Sequence, residues 1–233
     1  SLFSSREIAA LSSSALSGLT TDMVAALSSA FIASLSSSGL TGLTTSQVTA
    51  LTSTQIGSLG TAQVAALTSK QIAALGTAGI GSLSTAQVAA LSDTGVAGLS
   101  GGQIGAMTTD QIQALQTAQV AMLSSAQVAA LGTDDLAVFS TAELAALSSG
   151  AILGLSAETL KSLSSDRIAV LGSKGGIQGL STAQLASLSS AQLQSLTTAQ
   201  IASLGSRQLS AITTANMAAL STAQIAALSP QAI

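Results

Sequence analysis

The chain has 233 residues, of which 6% are charged and 1% aromatic; its net charge is −3, and it contains no Cys or His. It therefore lacks the basic surface typical of nucleic-acid-binding proteins, and it has no cysteine for disulfides or thiolate metal sites. Its apolar runs are too short for a transmembrane helix, and no signal peptide is visible. Because the pattern is already under way at Ser1, we expect a fragment or a trimmed mature form.

An eight-residue repeat runs through the chain, as in STAQVAAL at 84–91 and STAQIAAL at 221–228. Counted from the residue after each closing Leu, position eight is Leu at 25 of 29 occurrences, and position five is Ile, Val, Leu or Met at all 29. Eight residues turn an α-helix by about 800°, so a continuous helix would have no apolar stripe. The apolar pair is three residues apart, which does not fit the two-residue alternation of a strand.

Each octad instead predicts a capped helix of about one and a half turns. Position one is Ser or Thr in 23 octads, and position four is Gln in 14 and Glu in two, which is the spacing of a capping box. The Leu before the cap and the apolar residue at position five then form a hydrophobic staple. Pro230 at the first helical position, and acidic residues at positions two to four, agree with this register.

Helices this short are not stable alone, so we predict an all-α solenoid that forms a single domain over residues 1–233. Small residues at position seven would let adjacent helices approach closely. Position six accepts Gln113, Lys161 and Gln194, so we expect it to be exposed. Met122 and Val138 lie 16 residues apart, which hints at two octads per turn. The alternative folds are a β-solenoid and a coil dominated by 3-10 helix.

The first octads, within residues 1–43, depart from the consensus. None of them has Gln at position four, as expected of a terminal cap. The residues found at that position from the second octad onward are Ala15, Met23, Phe31 and Gly39. The octads at the other end stay close to the consensus.

Residues 132–180 form a second divergent stretch. Six successive octads there lack Gln at position four, and the register slips once at 172–180, where the octad has nine residues. Eight of the 15 charges of the chain lie between Asp134 and Lys174. We interpret this stretch either as drift in a tolerant array or as a face that meets a partner.

The sequence contains no constellation of residues for catalysis, cofactor binding or metal binding. We therefore predict no site residues, no cofactor and no enzymatic activity. Asp134-Asp135 is the only adjacent acidic pair, which we interpret as a solvated first turn, with a metal or acid–base pair as the alternative. We expect the methionines in the core; they are Met23, Met107, Met122 and Met217.

The segment LTTAQIASL at 196–204, with its neighbours, resembles the octapeptide arrays of very large bacterial secreted and surface proteins. The resemblance extends over nearly the whole chain and implies a structural spacer or fibre. MTTDQIQAL at 107–115 also resembles the opening helix of transcription-activator-like effector repeats. The second helix, the base-reading loop and the basic charge of those repeats are missing, so we do not predict DNA binding.

We therefore predict a non-enzymatic structural repeat protein, an extracellular or cell-surface fibre, stalk or sheath subunit of bacterial type. Its expected partner is another copy, end to end or side by side, or further repeats of a longer chain. Neither nucleic acid nor a membrane span is expected. The alternative is a binding module whose Ser/Thr rows hold a repetitive ligand such as glycan or ice. Ser13, Gly101 and Ala157 interrupt the row of Thr that ice binding would require.

Overall fold

A computed structural model of the chain describes residues 4–171 and 176–228. Within these residues the secondary structure consists of short helices, with no strand, and each helix lies in one octad. The predicted all-α class is confirmed, and the β-solenoid alternative is wrong. Some features of the sequence analysis lie outside the described residues; they are Phe3, Lys174, Pro230, Ile233 and the start of the nine-residue octad at 172–175.

The chain divides into two compact units, residues 1–119 and 120–233. The single domain predicted over residues 1–233 stays a prediction. The helices of the first unit are α1 Ser5–Ala9, α2 Ser13–Ser17, α3 Thr21–Ala26, α4 Ser29–Ser34, α5 Ser37–Leu40, α6 Thr45–Thr49, α7 Ser53–Gly57, α8 Thr61–Ala66, α9 Ser69–Ala74, α10 Gly76–Gly81, α11 Thr85–Ala89, α12 Asp93–Ala97, α13 Gly101–Ile104 and α14 Thr109–Gln113. Helix α15, Thr117–Ala121, includes the division between the units.

The second unit continues the series and contains one 3-10 helix, η1 Gly176–Gly179. Its α-helices are α16 Ser125–Val128, α17 Thr133–Val138, α18 Thr141–Ala146, α19 Ser149–Ile152, α20 Ala157–Ser162, α21 Ser165–Val170, α22 Thr182–Ser187, α23 Ser190–Gln194, α24 Thr198–Ala202, α25 Ser206–Leu209, α26 Thr214–Ala218 and α27 Thr222–Ala226. The nine-residue octad thus contains the one 3-10 helix of the described residues, and the alternative of a coil dominated by 3-10 helix is wrong.

The α-helices begin as the sequence predicts, except that α10 already includes Gly76 and has Leu75 as its N-cap. Helix α14 shows the usual geometry. Its N-cap Thr108 has extended backbone, and the Thr108 hydroxyl accepts the Gln111 backbone N–H at 3.2 Å. The Gln111 side-chain oxygen in turn accepts the Thr108 backbone N–H at 2.8 Å. These two bonds are the predicted capping box, and Asp110 lies in the first turn, where the helix dipole favours it.

Three octads make one turn of the coil in each unit. In the first unit α4 packs against α1 and α7, and α7 packs against α10; in the second, α16 packs against α19. The hint of two octads per turn is therefore wrong. Equivalent residues in neighbouring coils are 24 positions apart, so the interval of 16 between Met122 and Val138 does not align them in one column.

The core of each unit is formed by positions five and eight. Val64 at position five is 0% exposed, and Leu67 at position eight is 4% exposed. Position six faces outward, as predicted, since Gln113, Lys161 and Gln194 are all exposed. The two large side chains of each octad thus point into the coil, where neighbouring octads bury them.

Position seven is a point of close approach, which confirms the interpretation of its small residues. A Cβ atom on Gly98, after α12, would lie 2.7 Å from the backbone oxygen and the Cβ of Ser69, the first residue of α9. A Cβ on Gly179 would lie 2.1 Å from the backbone oxygen of Ser149. At these two glycines the end of one helix therefore crosses the start of the helix one coil earlier, with no room for a side chain.

The expectation that the methionines belong to the core is wrong for two of the four. Met23 is 52% exposed and Met122 is 44% exposed, whereas Met107 is only 8% exposed. Met107 occupies position eight, which points inward. Met23 and Met122 occupy positions four and seven, where a long side chain projects from the coil.

Candidate functional site

The glutamine at position four is buried in most of the regular octads, which the capping-box interpretation did not anticipate. A side chain that only capped its own helix could remain at the surface. The buried members are Gln47, Gln55, Gln63, Gln71, Gln87, Gln103, Gln111, Gln119, Gln127, Gln184, Gln192 and Gln224.

The Gln111 amide shows why these side chains are buried. While its oxygen accepts the N-cap N–H of its own octad, its Nε2 donates to the backbone oxygens of Ile80 at 3.1 Å and Leu83 at 2.6 Å. Those carbonyls belong to the end of the α10 octad, where the last carbonyls of a helix lack N–H donors from a following turn. One amide therefore satisfies a helix start and a helix end in the coil before. We call this pair of contacts the amide bridge.

The amide bridge recurs in both units and spans the same number of octads, although the nine-residue octad makes the Gln192 bridge one residue longer. Gln47 donates to the oxygens of Leu16 and Leu19, and in the second unit Gln192 donates to those of Leu160 and Leu163. Each bridge connects one octad to the octad four earlier. Because the amide is uncharged, this network does not titrate.

The first octads have no amide bridge, since position four there carries other side chains. Glu7 caps its own helix, because its Oε2 accepts the Ser4 backbone N–H at 2.7 Å and the Ser4 hydroxyl at 2.8 Å. The backbone N–H of Ser4, followed by its hydroxyl, lowers the pKa of the Glu7 carboxyl from its ordinary value. The first coil thus keeps the caps and offers no Gln amide to a neighbour.

In the divergent stretch, different residues at position four each retain one of the two contacts that glutamine makes, either the cap or the bond to the previous coil. Asp135 and Glu143 retain the cap, since their carboxylates accept the N–H of Gly132 at 3.0 Å and of Ser140 at 2.6 Å. An ionised carboxylate cannot donate to a carbonyl. Arg167 does the opposite, because its Nη2 donates to the backbone oxygen of Leu136 and a guanidinium cannot accept.

Arg167 is only a partial replacement for glutamine. Its Nε is buried and has no hydrogen-bond partner. Ser164, the N-cap of the same helix α21, makes no cap hydrogen bond with its side chain, unlike the other Ser and Thr N-caps of the described α-helices. In this octad, therefore, both hydrogen bonds of the capping box are missing: the N-cap hydroxyl makes no cap, and the side chain at position four cannot accept the N-cap N–H.

A cleft of about 370 Å³ opens beside Arg167, between α17 and the α20–α21 junction. It is lined by Thr133, Asp134, Ala137, Ser162, Leu163, Ser164 and Arg167. Asp134 and Arg167, of opposite charge, both line the cleft. Residues 132–180 stand out in the sequence, but the cleft does not, because its walls come from octads three and four apart.

The acidic pair Asp134-Asp135 lies in the first turn of α17, as interpreted from the sequence. In residues 4–171 and 176–228, no group of three His, Cys, Asp or Glu side chains is arranged to hold a metal ion. Over the same residues, every helix is too short or too polar to cross a bilayer.

The sequence pattern of the ALTTAQ repeat matches the chain at residues 49–77, 71–101, 96–133 and 175–206, which together are just over half of its length. The chain belongs to the ALTTAQ repeat family. The amide-bridged octad is thus the structural form of the ALTTAQ repeat in this chain, and the octapeptide resemblance is confirmed. Most of the divergent stretch lies between the third and fourth matched segments. A comparison with curated proteins found no match.

Proposed function

We propose that this ALTTAQ repeat protein is a non-enzymatic spacer, a fibre, stalk or sheath component at the bacterial cell surface or outside the cell. The observation that carries the proposal is the amide bridge, which in both units connects an octad to the octad four earlier. Each octad that carries this Gln recognises the backbone of the preceding coil. A chain built in this way can increase its length simply by adding octads.

The extracellular or surface location rests on the resemblance of LTTAQIASL at 196–204 to arrays of bacterial secreted and surface proteins. The partner that we propose is a second copy of the chain. Nucleic acid is not a proposed partner, because the net charge is −3 and phosphate recognition requires clustered basic residues.

The exposed side chains of the coils support side-by-side association. The outward residues at position six are mostly Ala, and the chain has few charges to repel a neighbouring copy. These uncharged, exposed positions therefore support lateral packing.

Electron microscopy of the concentrated protein, with light scattering over a concentration series, tests this proposal. We expect laterally packed filaments or bundles that increase with concentration. Replacing the exposed residues Ala65 and Ala73 with Lys should reduce association by charge repulsion, whereas Ser at the same positions should preserve it. A monodisperse monomer at every concentration would contradict self-assembly.

A further inference from the structure

Arg167 weakens the local arrangement that stabilises the other octads. A glutamine at this position would cap Ser164 and also donate to the backbone of the previous coil, as Gln192 does for its own octad. Arg167 instead leaves a buried Nε without a partner, and the Ser164 hydroxyl makes no cap. Folding stability does not explain this residue, and such a departure from the local rule is typical of a functional position.

The cleft beside Arg167 combines several kinds of polar group. Asp134 supplies a carboxylate that accepts hydrogen bonds, and Arg167 supplies N–H donors beyond the one used on Leu136. Thr133 and Ser164 add hydroxyls that can both donate and accept. Its volume of about 370 Å³ lies within the range of roughly 300–1,000 Å³ for small-molecule sites.

The charges select the class of ligand. A simple anion would be repelled by Asp134, and a simple cation by Arg167. A purely apolar ligand would leave the carboxylate and the guanidinium without partners. A neutral molecule with neighbouring hydroxyls fits better, because each hydroxyl can donate to Asp134 or accept from Arg167.

We propose that this cleft binds a neutral saccharide through Asp134, Ser164 and Arg167. The carboxylate and the guanidinium bind neighbouring sugar hydroxyls, and the Ser164 hydroxyl completes the set. Ala137, which also lines the cleft and is exposed, provides apolar surface for the C–H face of the ring. This binding function goes beyond the spacer role and does not depend on self-association.

Nuclear magnetic resonance titration of the full chain tests the proposal. The probes are the methyl glycosides of glucose, galactose, mannose and N-acetylglucosamine, each added separately. We expect saturable shift changes for at least one glycoside, confined to the amides of Thr133, Asp134 and Ser164 and to the Arg167 Nε–H signal. No saturable change with any of these glycosides would overturn the proposal.

Two variants identify the residues responsible. Arg167→Gln restores the regular octad and should fold at least as well as the wild type, yet bind the glycoside about 10-fold more weakly, since a charge-assisted hydrogen bond is lost. Asp134→Ala should weaken binding by a similar factor. The matched control is Asp110→Ala, which removes the same charge from position three of a regular octad and should leave binding unchanged.

Competition with other small molecules decides the ligand class. Sodium acetate and glycine, titrated in the same way, should shift these signals less than the glycoside does. Stronger saturable binding of acetate would show an anion site, and stronger binding of glycine would show a zwitterion site. Either result, or unchanged glycoside binding in both cleft variants, would overturn the saccharide assignment.

Discussion

At position four, an amide side chain has an acceptor and two donors on one rigid group, and the fold uses both kinds. In the Gln111 bridge the oxygen serves the start of its own helix, and the nitrogen serves a helix end in the coil before. Glutamate retains only the first contact and arginine only the second, as Glu143 and Arg167 show. The uncharged amide is therefore the group that joins the coils.

Replacing Gln111 with Ala tests the strength of one amide bridge. The change leaves the Thr108 N–H and the carbonyls of Ile80 and Leu83 without their side-chain partner in a buried place. We expect the free energy of unfolding to fall by about 2–4 kcal/mol, because several buried polar groups lose a hydrogen bond. Urea denaturation measures the change.

Gln113→Ala is the matched control, because Gln113 lies in the same helix α14 and is exposed at position six. We expect this variant to change the free energy of unfolding by less than about 0.5 kcal/mol. Equal effects at positions 111 and 113 would show that the amide bridge contributes little.

Glu7 makes the start of the chain sensitive to acid. Its carboxylate accepts two hydrogen bonds from Ser4, and these lower its pKa in the folded state. A lowered pKa means that the stabilisation is complete above the unfolded-state pKa and is lost as pH falls through the folded-state value. We expect the Ser4 amide to lose its hydrogen-bonded chemical shift over this acidic range, as followed by nuclear magnetic resonance.

The Glu7→Gln variant is the control for that titration. Its amide oxygen can accept the Ser4 N–H at any pH, so the Ser4 signal should not follow an acidic transition. A Glu7 pKa measured at or above the ordinary glutamate value would contradict the assignment of the hydrogen bonds.

Two glycines at helix starts, the N-cap Gly60 and the first residue of α10, Gly76, should respond in opposite ways to substitution by serine. Gly60 has φ −71° and ψ 155°, the usual N-cap conformation, so Gly60→Ser should stabilise the protein by about 0.5–1 kcal/mol. Gly76 has φ +66° at the start of α10, which disfavours any side chain. Gly76→Ser should therefore destabilise it by about 1–2 kcal/mol. Thermal unfolding of both variants tests this, and a change of the same sign in the two would refute it.

At the scale of the element, each helix depends on the helices that cross it. Four to six residues are too few for a stable isolated helix. The end of one helix crosses the start of the helix one coil earlier, and this crossing sets the distance between the coils. The residue at position seven lies at the crossing, so its size limits how closely the coils approach. Where the crossing is closest, as at Gly98, position seven has no room for a side chain, whereas position six is open to solvent.

Gly98→Ala tests this close approach. The new Cβ would lie 2.7 Å from the Ser69 backbone oxygen, so the coils must separate locally. We expect a destabilisation of about 1–3 kcal/mol in chemical denaturation, as for other overpacked sites.

Gly102→Ala is the control for that substitution. Its nearest neighbour would be the Ser100 hydroxyl at 3.9 Å, an ordinary contact on α13. Because alanine favours helix over glycine, this variant should gain about 0.5–1 kcal/mol. Destabilisation by both substitutions would mean that the crossing is not what limits position seven.

At the scale of the whole molecule, stability is a sum over neighbouring coils within each unit. Deleting residues 84–107 removes one whole coil of the first unit and joins Leu83 to Thr108, a normal junction between octads. We expect the shortened protein to keep its helical circular dichroism spectrum and a cooperative unfolding transition, with reduced stability.

Deleting residues 84–95 is the corresponding control. This change removes one and a half octads and joins Leu83 to Val96, which places an apolar core residue at the N-cap position. The helical signal of the first unit should fall, because the amide bridges and the core positions no longer align. If both deletions were tolerated equally, the octad register would not govern the fold.

The local features of this protein were determined by the sequence alone. The N-caps, the capping boxes, the inward positions five and eight and the exposed position six depend on contacts within about eight residues, and the repeat displays them directly. Residues 132–180 were likewise recognisable as divergent, because Gln is missing from position four in six successive octads.

Only the tertiary structure decided how many octads form a turn, why Gln111 is buried and where the cleft beside Arg167 lies. Each of these depends on residues about three or four octads apart, such as Gln111 with Ile80 and Arg167 with Leu136. An eight-residue period sets the length of each helix but not the angle between successive helices. That angle arises from the crossing of helix ends between coils, so the partners of each side chain became known only when the coils were stacked.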